Sequence, residues 1–213
     1  MRRSLSWLEK SEETENAHEK FIFLWIAFNS AYGTDDIGAD AAGERIPEAK
    51  RFEKFLQDVL DRDKENEIRD ILWTTFSGPI RLLLINQYVF GPFWDFVRGL
   101  KSEQEWMNRF RIYDRRVKKA LKSGNTHAVL VEIFNRLYTL RNQVFHGGTT
   151  FEKGWGKTQL RDGSRIMASL VPVILTIMQS EIDASPASEV WGNVSYPRIN
   201  KMPDESVVRF FGR

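Results

Sequence analysis

Residues 140–148 read LRNQVFHGG. They set an arginine, Arg141, a carboxamide, Asn142, and a histidine, His146, close together on the chain. An arginine fork grips a phosphate through two parallel N–H bonds. A histidine exchanges a proton near neutral pH, and a placed general acid or base contributes on the order of 10²–10⁴-fold. Phosphate clamp and proton shuttle together suffice for RNA cleavage without a metal, in which the RNA's own 2′-OH attacks the adjacent phosphorus. A plainer role fits the same residues: cations in the last turn of a helix complement its unpaired carbonyls.

Position on the helix limits what the three can do. Five residues turn through roughly 500°, which leaves Arg141 and His146 about 140° apart. Asn142 and His146 are four residues apart and share a face. The helix that carries them opens at Asn125 or Thr126, both good N-caps, and closes at Gly147-Gly148. Val129, Ile133, Leu137, Leu140 and Val144 form its apolar stripe. Arg141 falls on the flank of that stripe. Asn142 and His146 point nearly away from it, toward solvent, a ligand or a second subunit.

Helical periodicity also dominates elsewhere, and strand alternation is weak, so the fold class is expected to be all-α. A first helix is read over about 4–32, with the apolar FIFLWIAFNSAYG as its buried half and Gly33 as its stop. Residues 33–47 read as loop. A charged amphipathic helix covers 48–62, a second covers 64–75, and two short apolar helices share 77–97. A longer basic helix spans 102–122, and the last helix spans about 158–183 with Pro172 inside it. Residues 186–213 form an irregular tail whose aromatic side chains are expected to pack on the body.

Composition sets the outer bounds. A chain of 213 residues with 42% hydrophobic and 13% aromatic content, including seven Trp and fifteen Phe, has ample material for a core. Its net charge of +2 makes any nucleic-acid surface a local patch. The absence of cysteine excludes disulfides, thiolate metal sites and cysteine nucleophiles. No HExxH or clustered His/Asp spacing points to a metal, and no cofactor is implied. The N-terminus lacks a signal-peptide core, and the apolar run 166–178 is short for a bilayer, so a cytoplasmic protein without a membrane partner is expected.

RNQVFHGG resembles the Arg-polar-X3-His signature of the HEPN superfamily, whose motif is written R-X4–6-H. FIFLWIAFNSAYG resembles the first core helix of its Apea-like branch, and SRIMASLVPVILTIM resembles the closing helix. The likeness covers about 18–183. It implies an up-and-down helical bundle over 1–185, with its core at about 18–32 and 125–183 and a helical insertion at about 48–122. It further implies a metal-independent endoribonuclease of phage-defence or toxin–antitoxin systems, with Arg141 and His146 catalytic. Asn142 would orient His146 or hold the phosphate. Two protomers would share one cleft, so that a second histidine completes the acid–base pair. A cognate antitoxin or sensor would control it. Gly148 stands where toxins of the HEPN–nucleotidyltransferase pairs often carry a modified tyrosine, so silencing by that route is not expected.

Further RNA contacts are assigned by charge and stacking. The segment RFRIYDRRVKKALK offers Arg109, Arg115, Arg116 and Lys119 to a phosphate backbone, or else a solvated helix face. Lys153 and Trp155, in the Gly-rich loop after the motif, could contact a nucleotide, and Trp155 could equally cap the bundle. His18 and His127 read as surface residues. Asn29, inside an apolar helix, either braces the motif helix or bonds within its own. The competing functional reading is a non-catalytic helical module that binds RNA or protein or serves in dimerisation.

Overall fold

The computed structural model describes residues 1–33, 48–147 and 156–184 together with Trp191. These residues are mostly helical and contain no strand. The chain is therefore all-α among the described residues, as its periodicity requires.

The expected first helix is two helices. Helix α1 covers Arg2–Glu12 and α2 covers Ala17–Tyr32. Between them, Asn16 Oδ1 accepts the backbone N–H groups of His18 and Glu19, which starts a new helix and lets the chain reverse. The carboxamide satisfies donors that a continuous helix would have bonded internally, and the two helices pack as a hairpin. On α2, Phe21, Leu24, Trp25, Ala27 and Phe28 are buried, so apolar residues surround almost the whole helix.

Helix α3, Glu48–Leu60, buries Phe52, Phe55, Leu56 and Val59, as its spacing predicts. The next segment departs from expectation. Instead of one helix over 64–75, a single turn α4 (Glu67–Asp70) runs into a π-helical turn at Ile71–Thr75. Asp63 caps α4 through both carboxylate oxygens. Helix α5 then spans Ser77–Ile85, with Pro79 tolerated in its first turn, where its missing N–H has no partner to lose. After a 3₁₀ turn at Gln87–Val89, α6 covers Gly91–Val97.

Helix α7, Glu103–Ser123, starts with a complete capping box between Ser102 and Glu105 and stops at Gly124. Helix α8 covers Thr126–Phe145, and Asn125 Oδ1 caps it by accepting the Ala128 N–H. Helix α9 runs from Lys157 to Ala184. The apolar run inside it is short, but its Lys157–Ile182 stretch is long and apolar enough by length and composition to cross a bilayer. In this fold Ile166, Met167, Leu170, Val171 and Ile174 of that stretch are buried in the core.

One continuous core joins α2, α3, α5, α8 and α9, so segment 48–122 contributes to the same interior as the segments around it. Of the tail, only Trp191 is described. It is buried, meets the Phe55 ring at a tilt with centroids 6.0 Å apart, and lies under the Arg62 guanidinium at 5.0 Å.

Candidate functional site

Helix α8 is more deeply set than its stripe suggests. Leu130, Phe134, Arg136 and Glu132 are buried along with Val129, Ile133, Leu137 and Leu140, while Val144 is only half-buried. The helix ends at His146, whose backbone N–H still reaches the Asn142 carbonyl at 3.0 Å. Gly147 follows at φ +69°, the left-handed conformation that closes helices and suits glycine. The chain therefore leaves the helix immediately after the histidine.

Around this end the three motif residues divide between two surfaces. Asn142 and His146 line one cavity, and His146 is exposed. Arg141 does not line it. The Arg141 guanidinium lies over the Phe145 ring at 4.5 Å, and Nη1 donates to Asn142 Oδ1 at 2.9 Å. Its Nε is buried without a partner among the described residues. Phe145 itself is 46% exposed. The asparagine thus touches both the arginine and the cavity that holds the histidine.

That cavity has a volume of about 720 Å³ and runs along one face of α8, past Glu132, Asn135, Thr139, Asn142 and His146. These positions recur every three or four residues, the spacing of a single helical face. Its opposite wall comes from the 3₁₀ turn and α6. The Tyr88 carbonyl holds that wall by accepting two side-chain donors, Gln143 Nε2 at 2.6 Å and Trp94 Nε1 at 2.8 Å. Phe90 and Trp94 supply its apolar surface.

Arg136 borders the same cavity and is 1% exposed. Its Nε donates to the Tyr113 hydroxyl at 3.1 Å and its Nη2 donates to the Leu84 carbonyl at 3.0 Å. The guanidinium faces the Tyr113 ring at 4.0 Å and the Phe90 ring at 4.5 Å. No carboxylate bridges it, and Nη1 has no partner among the described residues. Burial pulls this guanidinium below its ordinary value, while Tyr113 opposes the shift. Burial pushes the Tyr113 phenol above its own ordinary value, against the neighbouring Arg136 charge. Sequence reasoning passed over Arg136. The available signal was a lone cation with Leu137 beside it and Ile133 and Leu140 three and four residues away on the buried side.

The basic helix α7 is divided as well. Arg109, Arg115, Arg116 and Lys119 are exposed, as a contact surface requires. Arg116 alone of the four borders the cavity, and it forms an ion pair with the nearly buried Glu132. Lys153 and Trp155 lie outside the described residues. His127 is half-buried, with Nε2 3.3 Å from the Glu53 carbonyl. Asn29 Oδ1 is buried without a partner among the described residues.

No family model matches the chain, and no curated protein or solved structure matches it.

Proposed function

We propose that the protein is a metal-independent endoribonuclease of the HEPN type, working as a homodimer. The observation that carries this reading is the end of α8, where Asn142 links a cation on one side to an exposed histidine on the other. In the proposed reaction, Arg141 neutralises a phosphate, and Asn142 orients its fork. His146 takes the proton from the RNA 2′-OH as the 2′-O–P bond forms. The P–O5′ bond then breaks, leaving a 2′,3′-cyclic phosphate and a 5′-hydroxyl. The leaving oxygen needs a proton as well, and His146 of a second copy supplies it. Because Arg141 and His146 diverge around the helix, two copies meeting at this end would place one protomer's arginine near the other's histidine. RNA approaches along the exposed cations of α7.

The test is cleavage of a mixed-sequence RNA in EDTA by the wild-type protein and by His146→Ala, with the product 3′ ends identified. Cyclic-phosphate ends from the wild type, lowered by a factor of about 10²–10⁴ in the variant, are the expected result. Intact RNA from a verified dimer would leave a binding module in place of the enzyme.

A further inference from the structure

The cavity beside His146 extends well past the motif, and its far end has features that phosphate chemistry does not need. Its walls are mostly apolar and aromatic, with Phe90, Trp94 and Tyr138 among them. Asn135 presents a carboxamide to it. Beneath lies Arg136, a buried cation with no carboxylate partner, and with Nη1 unpaired, among the described residues. Removing a charge from water without pairing it costs stability, and two hydrogen bonds and three nearby rings offset only part of that cost. A flat, uncharged group rich in carbonyl acceptors complements such a place. It can stack on the aromatic wall and accept a hydrogen bond from the Asn135 carboxamide, above the buried Arg136 charge.

We propose that this end of the cavity binds an unpaired nucleobase of RNA. The proposal rests on the ribonuclease reading for its biological context but not for its test. Arg136 and His146 are ten residues apart on one helix, about 15 Å along its axis. The base held there therefore belongs to a nucleotide distant from the bond that His146 would cut. The pocket selects RNA by single-stranded character a short way along the strand, and it makes the scissile phosphate's position depend on a base being unstacked elsewhere. A cavity of about 720 Å³ has room for a nucleotide.

The experiment compares two hexamers that cannot be cleaved, a 2′-O-methyl uridine hexamer and its abasic counterpart with the same backbone charge. Binding is measured by isothermal titration on the full chain. The base-bearing hexamer is expected to bind at least about tenfold more tightly, in line with the worth of one stacked base. Thr139→Phe, which fills the middle of the cavity from a half-buried position, should bring its affinity down to the abasic level. Asn135→Ala should weaken it severalfold without changing the melting temperature, which keeps the test open if Thr139→Phe disturbs the fold. Equal binding of the two hexamers, or binding that neither variant alters, overturns the pocket and leaves backbone attraction to α7. Base-dependent binding by a protein that cuts no RNA would uphold the pocket and discard only the ribonuclease.

Discussion

Around Phe28 the rings of α2, α3 and α8 are buried, whereas around Phe93 the rings of α6 and α7 stay half-exposed beside the cavity, which Trp94 alone of them lines. In the first cluster, Phe28 stacks on Phe134 at 4.3 Å and meets Tyr32, Phe52 and Phe55, all of them buried. In the second, Phe93 meets Tyr88, Trp94 and Trp106 edge-on, yet no residue of α6 is buried. Both regions are aromatic-rich in sequence. What separates them is whether a further element covers the rings. Apolar helices close over Phe28 from several sides. Of the second cluster Trp94 shares the cavity with the face of α8 that carries Asn135, Thr139 and Asn142. The same ring chemistry holds the fold in one place and stays half-exposed beside a cavity in the other.

The comparison is broken most sharply by truncation. Phe28→Ala should destabilise the protein by about 3–5 kcal/mol, since a fully buried ring leaves a void that its neighbours fill only in part. Phe93→Ala should cost about 1 kcal/mol, because the ring surrenders less buried area. Equal losses in denaturant melts of the two variants would show that both clusters are structural.

A smaller effect tests the polar join between cavity and core. Tyr113→Phe keeps the ring beside Arg136 and removes the hydroxyl that accepts its Nε–H. Stranding a charged donor in this way should cost about 1–3 kcal/mol. An unchanged denaturation midpoint would mean that the guanidinium finds other partners.

The smallest effect is a pH dependence. The Tyr113 phenol is held above its ordinary value near 10, because burial disfavours phenolate. Its contribution to stability is therefore complete below pH 10 and is lost as the pH rises through the higher folded value. The wild type should lose stability above pH 10 more steeply than Tyr113→Phe. Parallel curves would assign alkaline unfolding to other groups.

The sequence made α8 legible because its signals agree. Asn125 caps it, the apolar stripe sets its phase, and Gly147 ends it. The orientation of Asn142 and His146 away from the stripe followed from angle alone. The break between α1 and α2 was harder to see, although Asn16 followed three residues later by Glu19 has the form of a helix start. Apolar periodicity on either side hid it. Arg136 was not legible as part of the site, since its partners Tyr113 and Leu84 come from helices 23 and 52 residues away. Periodicity describes one helix at a time. A pocket between helices depends on how they pack, and the carbonyl of Tyr88 fixes that packing through donors on two different elements.

One consequence of the single face of α8 concerns phase. Asn135 and His146 are held in angular register by the backbone between them. One residue inserted there would rotate one end against the other by about 100°, and seven would restore the angle to within about 20° while adding roughly 10 Å. The helix thus works as a ruler whose marks reappear only at whole pairs of turns. Under the proposed reading, changes of length in this segment come in those steps, or they separate the base that is held from the bond that is cut.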